Sequence, residues 1–90
     1  MKIDKLEVYS DASNMAIIKH PGREYPGSLM QGDSLHSLLQ NLIEAKAEIE
    51  SGNLRDSAEI LDEVINSLND RLEHYTKVLK DHGIELPFSE

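Results

Sequence analysis

The sequence predicts an α+β fold, in which a small amino-terminal antiparallel β-sheet precedes a two-helix antiparallel hairpin with a long second helix. Within the first 20 residues, apolar and polar side chains alternate over short segments, which is typical of strands. From Leu35 onward, apolar residues recur every three or four positions, which indicates helices. The length of 90 residues fits one domain. We divide it into a β-hairpin with a Pro-Gly loop (1–32), a helical hairpin (33–83) and a carboxyl-terminal tail (84–90).

Two strands, at residues 5–10 and 15–20, are expected to form the first hairpin. Both segments contain β-branched or aromatic residues among polar ones. The segment between them, Asp11-Ala12-Ser13-Asn14, has the turn-forming residues of a short hairpin loop. Leu6 and Val8 would then share one face of the first strand.

Two Pro-Gly steps follow this hairpin, at Pro21-Gly22 and Pro26-Gly27. Each step favours a type II turn, in which the glycine has a positive φ. The twist of that turn suits tight hairpins poorly, so we expect an ordered, bent loop over residues 21–32. A short strand is expected within it, at Ser28 to Gln31.

The first helix is predicted over residues 35–50. Asp33 and Ser34 are its start signal, because either side chain can accept a hydrogen bond from a free amide of the first turn. Gly52 marks its end, since glycine readily adopts the left-handed conformation found after helices. The apolar residues of one helical face are Leu35, Leu38, Leu39, Leu42, Ile43 and Ile49.

The second helix, over residues 54–82, carries the most regular pattern in the sequence, and Gly83 and Pro87 indicate its end. Its heptad positions are Leu54, Ala58, Leu61, Ile65, Leu68, Leu72, Tyr75, Leu79 and His82. Three more apolar residues widen this stripe: Ile60, Val64 and Val78. A stripe of this width predicts contact with more than one neighbour.

The two helices differ in length, at about 24 Å for the first and about 43 Å for the second. In an antiparallel hairpin the first helix therefore cannot cover the apolar side chains of residues 70–82. One possible cover is the amino-terminal hairpin, through Leu6, Val8, Ile17 or Ile18. The other is the same surface of a second subunit, which would give a four-helix dimer.

From this overhang we predict a non-enzymatic protein-interaction module. Its interaction surface would be the apolar stripe formed by Leu68, Leu72, Tyr75 and Leu79, and its partner another protein or a second copy of the chain. Acidic residues on the outer face of the long helix would select against wrong partners: Asp56, Glu59, Asp62, Glu63, Asp70 and Glu73.

A second hypothesis is a small-ligand or anion-binding module at the Pro-Gly loop. Arg23 could hold a carboxylate or phosphate group against the start of the first helix, where free amides favour anions. His20 and Tyr25 would complete the site from the loop, and Asp33 and Ser34 from the helix start. The simpler alternative is that Arg23 pairs with a local acid while Tyr25 covers the sheet edge.

Composition excludes several classes of partner. Nine Lys and Arg against seventeen Asp and Glu give a formal charge of −8, which repels the phosphate backbone of nucleic acids. The longest apolar run is Met15 to Ile18, far below the roughly 18–20 residues of a membrane span. No secretory signal pattern is present at the amino terminus, so a cytoplasmic location is expected. No cofactor is expected, and the absence of cysteine excludes thiolate chemistry.

Gly32-Asp33-Ser34-Leu35 matches the nucleophile block of the Gly-Asp-Ser-Leu hydrolases. Those enzymes also need a histidine base, a carboxylate and oxyanion donors on a parallel-sheet fold of about 200 residues. This chain is too short for that fold, and its Asp33 to His36 spacing overlaps the block itself. The start of a helix explains the four residues, and we expect no catalytic residues.

Four histidines raise the question of a metal site. Asp70 and His74 stand four residues apart on one helix and could share a divalent ion, but structural zinc sites usually need four ligands. His82 is expected to cap carbonyl groups at the helix end or to pack at the edge of the stripe. We therefore expect no metal site.

Three segments of the chain resemble a family of small uncharacterised bacterial proteins, over roughly residues 7–43. These segments are Asp11-Ala12-Ser13-Asn14, Pro21-Gly22-Arg23 with Pro26-Gly27, and Gln31-Gly32-Asp33-Ser34-Leu35. The family has no assigned activity, so the resemblance implies no catalytic residues. It implies a bacterial cytoplasmic protein.

Overall fold

A three-stranded antiparallel sheet followed by two helices forms the fold, in a computed structural model that describes all of residues 1–90. The strands are β1 (Glu7–Ser10), β2 (Ile17–Lys19) and β3 (Gly27–Ser28), and the helices are α1 (Gly32–Glu50) and α2 (Leu54–Asp81). The predicted α+β class, with its long second helix, is confirmed. Neither α1 nor α2 contains the extended apolar segment that a membrane-spanning helix needs.

The chain is organised in two compact units. The first contains residues 1–30 together with 71–90, and the second contains residues 31–70. Helix α2 contributes its carboxyl-terminal part to the first unit and its amino-terminal part to the second.

The sheet has the order β1-β2-β3. Val8 pairs with Ile18, and a β-bulge lies between Val8 and Ser10. The predicted loop after β1 contains a turn in which the Met15 amide donates to the Ala12 carbonyl at 2.9 Å. Asn14 has a φ of 62° there, a left-handed conformation that asparagine tolerates better than most residues.

The prediction of two type II turns is wrong, because neither Pro-Gly glycine has a positive φ. Pro21-Gly22 lies in a turn closed by the Arg23 amide, which donates to the His20 carbonyl at 3.0 Å. The His20 imidazole Nδ1 accepts the Gly22 amide at 3.1 Å and holds this turn from its side. Gly27 instead begins β3, where pairing with Ile18 keeps it extended. This strand therefore starts one residue earlier than predicted and ends at Ser28 instead of Gln31.

Helix α1 begins at Gly32, three residues before the predicted start. Its N-cap is Gln31, whose side chain makes no capping bond. The prediction that Asp33 or Ser34 caps the helix is therefore wrong, because both residues lie inside its first turn. The Asp33 carboxylate instead accepts the amide of its neighbour Ser34 at 2.9 Å, and a carboxylate in the first turn stabilises the positive end of the helix dipole.

Both helices end in the same left-handed glycine motif. After α1, Gly52 has a φ of 82°, and the Asn53 amide donates to the Glu48 carbonyl at 2.8 Å. After α2, Gly83 has a φ of 68°, and the Ile84 amide donates to the Leu79 carbonyl at 2.9 Å. These bonds satisfy carbonyls that a helix end would otherwise leave free.

The core of the first unit lies between the sheet and the carboxyl-terminal part of α2. Its buried residues are Ile17, Tyr75, Val78 and Leu79, with Tyr9, Ile84 and Leu86 packed against them. The amino-terminal hairpin therefore covers this part of the stripe, as one of the two sequence-based alternatives proposed. Tyr9 does so from β1, whereas Leu6 and Val8 are exposed.

Candidate interaction surface

The four residues predicted as the interaction surface divide into two kinds. Leu68 and Leu72 are 43% and 47% exposed. Tyr75 and Leu79 are only 6% and 0% exposed, because they lie in the core beneath the sheet. Tyr75 and Leu79 are therefore not part of an accessible stripe, and that part of the prediction is wrong.

Polar contacts fix the sheet to the same part of α2. The Tyr75 hydroxyl donates to the Pro26 carbonyl at 2.6 Å, and burial raises the pKa of this phenol. The Arg71 guanidinium donates to the Leu29 carbonyl at 3.0 Å and to the Ser28 hydroxyl at 3.1 Å. Both side chains therefore anchor the chain around the short strand β3.

Two histidines complete these contacts. His74 Nε2 lies 2.9 Å from the Ser10 hydroxyl at the end of β1. His82 Nδ1 lies 2.8 Å from the Val78 carbonyl, and the His82 ring meets the Tyr9 ring edge-on at 5.0 Å. The predicted capping role of His82 is confirmed, and the histidine ring packs against the sheet as well.

In the second unit, α1 and residues 54–70 of α2 form an antiparallel hairpin around a very small core. Its buried residues are Ala45, Val64 and Ser57. Ala45 and Ser57 are small and lie close to the connection between the helices, so they fill little of the space between them. The core of this unit thus contains only two buried hydrophobic residues.

Eight large apolar residues of the hairpin remain 41–66% exposed. We call them the apolar face: Leu35, Leu39, Leu42, Ile43 and Ile49 on α1, and Leu54, Ile65 and Leu68 on α2. On each helix, these exposed residues form a stripe along the helix axis. Measured around that axis, the middle of the stripe lies about 80° from the residues buried between the helices. Because the helices are antiparallel, this rotation places both stripes on the same side of the hairpin.

The opposite side of the hairpin is polar. A groove of about 430 Å³ runs between the helices there, with Leu38 and Val64 in its lining and polar residues around them: Asp33, Ser34, Ser37, Asn41, Glu63 and Ser67. Most acidic residues of the unit share this side, since they lie about half a turn around their helices from the apolar face. The hairpin thus has one apolar and one acidic side.

The residues of the predicted ligand loop lie in different units. His20, Arg23 and Tyr25 belong to the first, and Asp33 and Ser34 belong to the second. The Arg23 side chain is exposed and makes neither an ion pair nor a hydrogen bond, so the expected pairing with a local acid is absent. None of the three loop residues lines the groove described above.

The residues considered for catalysis and metal binding also have defined places. Ser34 lies in the first turn of a helix, and His36 is exposed on the same helix. No group of three or more His, Asp or Glu residues lies close enough to hold a metal ion.

Sequence reasoning missed the anchoring roles of Arg71, His74 and Tyr75. Their spacing of three and four residues, continued by Val78, already places them on one helical face. A face that mixes an arginine, a histidine and a tyrosine with valine is the signal that could have indicated contact with strand ends.

Comparison with known proteins gives the family of the chain. Neither the curated proteins nor the solved structures contain a match to it. One family model does match, over residues 1–88, and it therefore includes both the sheet and the helical hairpin. The chain belongs to this family, which is described as a family of unknown function (DUF6959).

Proposed function

We propose that the chain is a non-enzymatic, cytoplasmic protein-interaction module whose binding surface is the apolar face of the helical hairpin. The observation that carries this proposal is the 41–66% exposure of all eight residues of the face, which helix geometry assigns to one side of the hairpin. Single exposed leucines are common on protein surfaces, but contiguous apolar patches of this kind are typical of interaction sites.

The proposal moves the binding surface from the overhang of α2 to the hairpin. Leu68 belongs to both surfaces, whereas Tyr75 and Leu79 stabilise the sheet instead. The acidic residues lie about half a turn away from the apolar face, so they keep the opposite side of the hairpin in solvent and leave the apolar face as the surface for a partner.

Photo-crosslinking tests this function in the cell that naturally produces the protein. A photoreactive phenylalanine analogue is placed at Leu39, in the middle of the apolar face, and at Gln40 in a matched control. Gln40 is also exposed, but one residue further along the helix its side chain points about 100° away. We expect a discrete crosslinked band from position 39 and none from position 40. Equal, diffuse labelling from both positions, or none from either, would contradict the proposal.

A further inference from the structure

We infer that the occupant of the apolar face is a second copy of the same chain, so that two hairpins form a four-helix bundle. This inference rests on the proposed function and names its partner. Three features of the hairpin support a second copy: the size of its core, the area of its apolar face and the distribution of its charges.

The core of the hairpin is too small to keep the unit folded without cover. Among its 40 residues, Ala45 and Val64 are the only buried hydrophobic ones. Short helices in water are stable chiefly through the packing of an apolar side, and the larger apolar side of this hairpin faces solvent. The cover must therefore be present whenever the chain folds. A second copy of the chain meets this requirement, because every copy is synthesised in the same cell and in the same amount as its partner.

The area of the face agrees with a dimer. Eight half-exposed Leu and Ile residues present roughly 600–800 Å² of surface, close to the roughly 800 Å² that each partner contributes to a standard interface. The face is also two helices wide, and each helix presents a stripe on the same side. This is the geometry of half a four-helix bundle, and an equal half completes it.

The charges allow two copies to meet despite the acidic composition. The α1 stripe contains two charged residues, Lys46 and Glu50, and they pair with each other, since the Lys46 ammonium group lies 3.8 Å from the Glu50 carboxylate. The acidic residues on the far side would stay in solvent in a dimer of hairpins, where salt screens charges separated by more than about 8–10 Å. Association through the apolar face thus buries no unpaired carboxylate.

Absolute mass by light scattering, across a tenfold concentration range reaching tens of micromolar, tests the dimer. The monomer has a mass of 10.1 kDa. We expect the wild-type protein at twice this mass, and Leu39→Glu and Ile65→Glu at the monomer mass. Gln40→Glu and Asn66→Glu, which add the same charge at exposed neighbouring positions, should remain dimeric.

Leu39→Glu and Ile65→Glu can also act by unfolding the hairpin, so a second measurement uses the milder Leu39→Ala. For a dimer, the Tm of the wild-type protein rises with protein concentration, and Leu39→Ala lowers the mass at the dilute end of the range. A wild-type monomer at all concentrations, or a dimer that keeps its mass in both glutamate variants, overturns the inference.

The crosslinking result distinguishes a failure of the dimer from a failure of the interaction module. A wild-type monomer that still gives a discrete position-39 crosslink to a different protein rejects the dimer and leaves the interaction module intact. A wild-type monomer without any specific crosslink rejects both.

Discussion

The buried hydroxyl of Tyr75 provides a quantitative test of how the sheet is held on the long helix. This hydroxyl donates to the Pro26 carbonyl at 2.6 Å, while the ring packs in the core and stacks on Phe88 at 6.4 Å. Tyr75→Phe removes the donor and keeps the ring. The Pro26 carbonyl then loses its partner in a buried site, which costs about 1–3 kcal/mol of unfolding free energy. A loss of this size lowers the Tm by about 4–8 °C per kcal/mol in a domain of 60–100 residues.

Urea unfolding followed by circular dichroism measures this difference at one fixed protein concentration, because the proposed self-association would also contribute to apparent stability. Tyr25→Phe is the matched control, since Tyr25 is 38% exposed and makes no side-chain hydrogen bond. It should change the unfolding free energy by no more than about 0.5 kcal/mol. Equal effects of the two substitutions would refute the reasoning, because they would show that the Pro26 contact contributes nothing specific.

Three further predictions concern the core, the helix ends and alkaline pH. Leu79→Ala should lower the unfolding free energy by about 2–5 kcal/mol in urea titrations, because Leu79 is fully buried. A loss below about 1 kcal/mol would contradict its place in the core. Gly83→Ala should lower the unfolding free energy by about 1 kcal/mol, because Gly83 has a positive φ. Gly22→Ala should leave it almost unchanged, since the added Cβ would lie at an ordinary contact distance of 3.4 Å from His20. A lower Tm for Gly22→Ala than for Gly83→Ala would be inconsistent with these backbone angles. Burial raises the pKa of Tyr75 above its value of 10.0 in the unfolded chain. The contribution of the protonated phenol to the unfolding free energy is therefore complete below pH 10 and is lost as the pH rises through the folded-state pKa. Tyr75→Phe should reduce this loss of stability at alkaline pH.

Local patterns predicted the elements of the fold well. The alternation at residues 5–10 and 15–20 located β1 and β2, and the three-four periodicity located both helices to within three residues at each end. The glycine stops at Gly52 and Gly83 were correct because a left-handed residue after a helix is a local requirement. Each of these features depends on a few consecutive residues, which a sequence displays directly.

The Pro-Gly loop shows where local reasoning fails. Isolated Pro-Gly steps favour type II turns, but here long-range contacts decide the conformation. Gly27 pairs with Ile18, and the carbonyl of Pro26 accepts the hydroxyl of Tyr75. Both partners are distant enough in the sequence that their contacts cannot be inferred from the loop itself.

The location of the exposed surface follows from the width of the apolar stripes rather than from the lengths of the helices. Length matching indicated that the overhang of α2 needs cover from the amino-terminal hairpin or from a second subunit, and the sheet supplies that cover through Ile17 and Tyr9. In the hairpin, by contrast, α1 and α2 each carry a stripe of about 160°, which is wider than one neighbouring helix can cover. Each helix therefore buries one edge of its stripe against the neighbouring helix and leaves the opposite edge of the stripe exposed. The sequence contains this information in residues such as Ile60 and Val64, which widen the stripe. A wide apolar stripe indicates that a helix needs a second neighbour. Only the folded chain shows that the sheet covers the carboxyl-terminal part of α2, whereas the apolar residues of the hairpin stay exposed.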